Sequence, residues 1–353
     1  MIKVIRFSIS CRLNFKMDKD SLTITPNISA RHFFVVNPVC FDSSLKMEAM
    51  IAEIHRFFND SDNSPLYKQS GYAVHTSRFP RDAIYAIQRY AKAVPSGYPL
   101  RVYAVGGDGT LFDCLNGVVG LPNVELGIIP HGKKNSLYRI FGENNKDAFN
   151  SLEVQTRAPS VTMDALYCGS NYALNHCLIG LEALFHAGGL TVKIPTFLDR
   201  YMSVFSRTLN IASLYFTGVI NSEILKQNYR FWVDSENLSG AYAFINIVNK
   251  PYYADSNKIA ISEANPTDGC LDVLACGEIN ALNSYSILNK YINGHHARYP
   301  NLFTYRRAKK VFVSSSQPLI LDLDGEIFYD KYISMEIKPE VVRIIVPTQV
   351  RQE

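Results

Sequence analysis

One stretch constrains this chain more than any other: Leu100 to Gly117, which reads LRVYAVGGDGTLFDCLNG. Val102-Tyr103-Ala104-Val105 is an uncharged apolar run, as a parallel strand covered on both faces requires. Gly106-Gly107-Asp108-Gly109-Thr110 breaks that run, and Leu111, Leu115, Val118 and Val119 then fall on one face of a helix. A strand, a glycine turn and a helix N-terminus in succession make a phosphate site. Glycine lets the backbone approach a ligand closely, and the N–H groups of the first helical turn point at an anion. An ordinary βα turn, with Asp108 or Thr110 capping the helix, fits the same residues.

The neighbouring sequence extends the pattern. His32 to Val36 reads as a strand ending in Asn37-Pro38, followed by a helix from about Leu45 with Met47, Met50, Ile51, Ile54, Phe57 and Phe58 on its apolar face. Gly71 to Thr76 is a short strand, Asp82 to Val94 a helix, Leu100 to Val105 and Val124 to Ile129 further strands. Such alternation predicts a doubly wound α/β sheet, which binds ligands beyond the carboxyl ends of its strands. Asn37, Asp108 and His131 to Asn135 all follow strand ends, so three loops are expected to line one crevice.

After about Ser160 the texture changes. Val161 to Leu166, Tyr172 to Ile179, Arg230 to Val233, Ala241 to Val248, Leu271 to Cys276, Lys310 to Val313 and Leu319 to Leu323 read as strands, with helices at Leu198 to Phe216 and Ala281 to Ile292. The aromatic helix Leu198 to Phe216 is read as core before membrane-docking surface. The expected domains are an extension at 1–30, an α/β nucleotide-binding domain at 31–160 and a β-rich domain at 161–330. A segment at 331–353 follows, whose strand Val341 to Val346 is expected to return to the first domain.

Composition removes several classes. A formal net charge of +4 on 353 residues, without a basic block or zinc-finger spacing, gives no nucleic-acid footprint. The apolar run Ile211 to Ile220 falls far short of the ~20 residues a membrane-crossing helix needs. Seven scattered cysteines without a CxxC pair argue against a disulfide framework and for a reducing, cytoplasmic setting. Neither HExxH nor GxSxG occurs, which leaves little for a zinc peptidase or serine hydrolase.

The turn at Gly106 to Thr110, with Asn116-Gly117 downstream, resembles the phosphate loop of the diacylglycerol kinase, sphingosine kinase and NAD kinase superfamily. It is neither a Walker loop nor GxGxxG. Further stretches resemble the bacterial, soluble branch of the diacylglycerol kinase family. Asn37-Pro38 is similar to its Asn-Pro-x-Ser-Gly, and Pro130-His131-Gly132-Lys133-Lys134-Asn135 to its Pro-x-Gly-Thr-x-Asn-Asp. Asn175, Gly180 and Ala183 match Asn-x-x-x-x-Gly-x-x-Ala. Asp268-Gly269-Cys270-Leu271-Asp272 and Asp324-Gly325-Glu326 match Asp-Gly-x-Leu-Asp and Asp-Gly-Glu. These matches run in order from about residue 32 to Pro347. The sequence departs from the pattern too: Ser-Gly is missing after Asn37-Pro38, Lys133 stands for Thr, Ser136 for Asp, and Phe112-Asp113 for Asn-Glu.

The resemblance implies an NAD kinase-like nucleotide domain followed by a β-sandwich-like one. It implies ATP and Mg²⁺, with Asn37, Gly106, Gly107, Asp108, Gly109, Thr110, Gly132, Lys133 and Asn135 at the nucleotide. Glu326 is the expected general base, with Asp108 and Asp324 as the other catalytic candidates; Asp108 and Asp268 are the metal candidates. The expected activity is ATP-dependent phosphorylation of a diacylglycerol-like or sphingoid lipid at a membrane surface, by a cytoplasmic or peripheral protein. Two alternatives stay open: a kinase of the same fold for a soluble acceptor such as NAD, and a catalytically impaired nucleotide- or lipid-binding relative. A homodimer is also left open. Taken alone, Asp324-Gly325 equally reads as a hairpin turn.

Overall fold

The apolar runs of the first 130 residues fold as parallel strands, and alternate residues on them serve opposite helices. The computed structural model describes residues 30–59, 71–131, 135, 137–141, 146–187, 226–250, 261–280 and 283–347. The chain gathers into two units, Met1–Val161 with Arg343–Glu353, and Thr162–Val342.

In the first unit the strands are β1 (Arg31–Val36), β2 (Tyr72–Thr76), β3 (Leu100–Gly106) and β4 (Val124–Pro130). Helices α1 (Ser44–Asn59), α2 (Asp82–Ala93) and α3 (Asp108–Val118) connect them. The order is β2-β1-β3-β4, every pair parallel. The last strand of the chain adds its end beside β4, with Ile344 opposite Leu126. Phe33 stacks on Tyr90 of α2 at 4.5 Å between centroids, whereas Phe34 meets Phe58 of α1 at 5.8 Å. Successive side chains on a strand point to opposite faces, so helices cover both sides of this sheet. Strand order reverses between β1 and β3, and the turns following those two strands therefore open on one crevice.

Two short helices missing from the sequence reading, α4 (Lys146–Asn150) and α5 (Leu152–Arg157), complete the unit. Arg101 of β3 is buried and donates to the carbonyls of Thr156 at 2.9 Å and Ala158 at 3.0 Å. Its Nε lies 2.8 Å from Glu125 Oε2, a close charge contact rather than an aligned hydrogen bond. The other oxygen of Glu125 accepts from Ser160 Oγ at 2.7 Å and Arg343 Nη2 at 2.8 Å. A buried ion pair is tolerable when its remaining groups are matched in this way.

The second unit is antiparallel. Its strands begin with β5 (Ser160–Cys168), β6 (Asn171–Ala173) and β7 (His176–Gly180), the last leading into α6 (Leu181–His186). Then come β8 (Gln227–Val233), β9 (Glu236–Asn237), β10 (Gly240–Tyr242), β11 (Phe244–Val248) and β12 (Leu271–Cys276). Helix α7 (Ser284–Ile292), β13 (Phe303–Ala308), β14 (Lys310–Leu323) and β15 (Glu326–Ile345) follow. The main order is β13-β12-β11-β7-β14-β15. Ile287, Leu288, Tyr291 and Ile292 of α7 pack with Phe244, Leu274 and Phe303 into its core.

Several expected elements differ. Lys310 to Val313 and Leu319 to Leu323 are two ends of one strand, β14. Its pairing with β15 shifts register between Ser314 and Leu319, and the two ends serve different neighbours, β8 and β7. The expected strand Tyr172 to Ile179 is broken at Leu174-Asn175, for a reason given below. The expected helix Leu198 to Phe216 and residues 1–29 lie outside the described residues. The described cysteines, Cys40, Cys114, Cys168, Cys177, Cys270 and Cys276, are free thiols. No helix among the described residues is long and apolar enough to cross a membrane.

Candidate functional site

The glycine turn is clamped from below by the loop that follows β1. Asn37 Nδ2 donates to Thr110 Oγ1 at 2.9 Å, and its Oδ1 accepts from the Val39 N–H at 3.1 Å. The Asn37 N–H in turn reaches the Val105 carbonyl at 3.1 Å. Only glycine fits at 106, because a Cβ there would lie 2.3 Å from Thr110 Oγ1. The Gly107 N–H points at Cys40 Sγ, 3.3 Å away. Gly107 starts α3 without a side-chain cap, so neither Asp108 nor Thr110 serves as the capping residue. Asp108, half-buried in the first turn, places negative charge where the helix dipole favours it.

The third loop joins the same crevice. The His131 N–H donates to the Gly106 carbonyl at 2.9 Å, and Asn135 Nδ2 donates to the His131 carbonyl at 3.3 Å. The His131 ring stacks on Phe41 of the first loop, 4.7 Å between centroids. Burial, with Lys146 adding to it, lowers the His131 pKa and favours the neutral ring. Asn37, Gly106 to Thr110, and Asn135 are thus brought together. Gly132, Lys133 and Ser136 lie outside the described residues. Phe112-Asp113, the departure on α3, fastens α2 to α3. Arg81, with φ of 69°, donates its N–H to Asp113 Oδ2 at 3.0 Å and its Nη1 to Oδ1 at 2.8 Å, over the Phe112 ring.

In the second unit Asp324 and Gly325 form the turn between β14 and β15, with φ of 52° and 94°. Both positive angles belong to a tight hairpin turn. The buried Asp324 carboxylate accepts the N–H groups of Leu174 at 2.6 Å, Asn175 at 3.0 Å and His176 at 2.9 Å. These three bonds turn the backbone away from a sheet ladder and break the expected strand between β6 and β7. Asp324 is therefore a brace for the turn, and the adjacent Glu326, half-buried at the start of β15, is the carboxylate carried next to it.

Asp268 does not suit a cation. It is ion-paired with Arg307, and its Oδ1 accepts the Cys270 N–H at 3.0 Å. Burial pushes its carboxyl up, against the pull of the Arg307 guanidinium that already balances its charge. The turn is held instead by Asp164, which accepts the Gly269 N–H at 2.7 Å and the Glu340 N–H at 2.9 Å. The residues missed in the sequence are Asp322, His176 and His186, which converge from positions as much as 146 apart on their own numbering. No local spacing could have signalled them.

A glycine turn at the switch point of a doubly wound sheet, followed by a β-rich unit, defines an α/β protein with a second, antiparallel unit. A family model described as the diacylglycerol kinase catalytic domain matches residues 34–168, and the YegS C-terminal NAD kinase beta sandwich-like domain matches 211–346. A Staphylococcus aureus (strain Mu3) protein named "Putative lipid kinase" is 25% identical over 251 residues, 69% of this chain and 76% of that one. A crystal structure of a "putative diacylglycerol kinase" from Bacillus anthracis shares the fold with TM-score 0.65 and 18% identity, covering 90% of this chain and 95% of the other. Another diacylglycerol kinase structure from B. anthracis has TM-score 0.61 and 16% identity, over 90% and 97%. The chain belongs to the diacylglycerol kinase-like family.

Proposed function

We propose that this protein is an ATP-dependent lipid kinase that transfers a γ-phosphoryl group to the hydroxyl of a diacylglycerol-like or sphingoid lipid. One observation carries the reading: the Gly106 to Thr110 turn, held by Asn37 and Thr110, leaves no room for a side chain at 106. A turn packed this tightly on its own Thr110 fixes the backbone at the start of a helix, where backbone N–H groups suit an anion such as nucleotide phosphate. Phosphoryl transfer depends mainly on positioning and on stabilising charge. Asp108 offers hard oxygen ligands for a divalent cation, which when bound neutralises phosphate charge. Glu326 is assigned the base that takes the proton from the lipid hydroxyl, and Asp324 holds the turn that presents it.

A second reading has its own observation. Cys40 Sγ already engages the Gly107 N–H, one of the amides a phosphate would use. A relative that binds nucleotide or lipid with impaired catalysis fits that contact.

The test is a labelled-ATP assay against a lipid panel in mixed micelles, with soluble alcohols including NAD as controls. The expected result is label on a lipid hydroxyl. Glu326→Gln is expected to cut kcat by about 10²-fold or more, the scale of a lost base, with nucleotide affinity unchanged. Label on a soluble acceptor instead would overturn the lipid assignment. A wild-type rate equal to that of Glu326→Gln and Asp108→Asn would leave the impaired relative.

A further inference from the structure

The cluster of Asp322, His176 and His186 lies within the second unit. Asp322 stands near the end of β14, opposite Leu178 of β7 in the pairing register. Residues two apart on a strand share a face, so Asp322 and His176 sit on the same side of the sheet. Helix α6 leaves β7 and brings His186, its final residue, back to that side, where Nδ1 meets Asp322 Oδ2. The ligand atoms of the three residues all lie within 4.8 Å of one another.

The chemistry of these groups is incomplete as it stands. Asp322 is fully buried, and its Oδ1 accepts the Gly325 N–H at 2.6 Å. His176, only 8% exposed, has a buried Nε2 with no aligned hydrogen-bond partner; Asp322 Oδ1 is 3.5 Å away. An unmatched buried nitrogen is costly, and such a group in a folded protein asks for an explanation, a bound ion among them. Neighbouring charges of opposite sign, Asp324 and the buried Lys250, also act on this ring.

We propose that His176 Nε2, His186 Nδ1 and the Asp322 carboxylate bind one divalent transition-metal ion of the zinc type. Two imidazoles with one carboxylate suit zinc better than magnesium, which prefers an all-oxygen octahedral shell. Ligands of a tetrahedral zinc at bonds of about 2.1 Å stand about 3.4 Å apart, close to the His176–Asp322 separation of 3.5 Å. Binding replaces the His186–Asp322 hydrogen bond: the Nδ1 proton leaves to solvent or shifts to Nε2, and the freed lone pair takes the metal. Since Asp322 also holds Gly325, the ion would tie β7 and α6 to the turn that carries Asp324 and Glu326. Its role would be to position that turn, and the site stands or falls independently of the kinase reading.

The experiment uses the full chain stripped with a chelator and dialysed. Zinc is titrated against a chromophoric competitor, and cobalt replaces zinc for an absorption spectrum. The expected result is one equivalent of zinc per chain, a visible cobalt band typical of four-coordinate nitrogen and oxygen ligands, and a rise in thermal midpoint with zinc. His176→Gln and His186→Gln are each expected to weaken zinc at least 30-fold, while Asp268→Asn leaves it unchanged. Should His176→Gln fail to fold, His186→Gln carries the test, because that ring lies partly exposed at a helix end. Absence of stoichiometric zinc on the folded wild type at micromolar concentration overturns the site. Undiminished binding by folded His186→Gln overturns it as well.

Discussion

Asp108-Gly109 in the first unit and Asp324-Gly325 in the second share a dipeptide, yet their carboxylates meet different surroundings. Asp108 opens a helix after a parallel strand, half-buried, in a turn whose Gly106 packs against the Thr110 side chain. Asp324 sits in a hairpin turn and is enclosed by three backbone N–H groups from residues about 150 positions earlier. Asp268-Gly269 is a third case, matched by Arg307. The difference teaches that an Asp-Gly pair acquires a role from what its carboxylate must satisfy. A carboxylate that completes three buried amides is structural, whereas one in the first turn of a helix carries its charge at the positive end of the helix dipole.

Stability measurements can break that comparison. Asp324→Ala is expected to have the largest effect, because it strands three amides in the interior at about 1–3 kcal/mol each. A loss of about 3 kcal/mol or more is predicted in urea unfolding followed by the fluorescence of Trp232, the single tryptophan, which lies in the second unit. A loss under about 1 kcal/mol would remove the brace assignment.

Acid probes the sheet beneath the other turn. His32 on β1 is fully buried beside Tyr103, 3.0 Å from its hydroxyl, and burial, with Arg101 nearby, lowers its pKa to about 3. The unfolded chain takes up that proton near pH 6.5, so between pH 6.5 and 3 the unfolded state binds more protons and stability falls as pH falls. The slope from this one group approaches about 1.4 kcal/mol per pH unit. Hydrogen exchange of β1 and β3 amides between pH 6.5 and 4.5, corrected for intrinsic rate, measures it. His32→Gln is expected to flatten the slope; an unchanged slope would put the titration elsewhere. Asp108→Ala is expected to have the smallest effect, under about 1 kcal/mol at a site away from the core, and a larger loss would make Asp108 structural like Asp324.

Legibility in the sequence followed the range of the interactions. The runs Phe33 to Val36, Val102 to Val105 and Leu126 to Ile129 are buried on both faces and announce themselves, and so does the glycine turn that joins strand to helix. Alternate faces of β1 serving α1 and α2 followed from strand geometry alone. The break at Leu174-Asn175 did not, because its cause is a carboxylate at position 324. The continuity of β14 was hidden by a register shift that looks in sequence like a gap between strands. At the candidate site, Asn37 and Thr110 were readable as members of one crevice, but their mutual hydrogen bond and the Cys40 contact with Gly107 were not. The His176, His186 and Asp322 cluster was invisible for the same reason: it depends on pairing between β7 and β14.

The central claim is that the Gly106 to Thr110 turn receives nucleotide phosphate. Calorimetric titration of MgATP into the wild type and into Gly106→Ala tests it most directly, since the added methyl group would press on Thr110 and push the turn off Asn37. Saturable binding by the wild type, weakened at least tenfold in a variant whose circular dichroism is unchanged, is the predicted result. No detectable heat from the folded wild type, or equal affinity in both proteins, would contradict it.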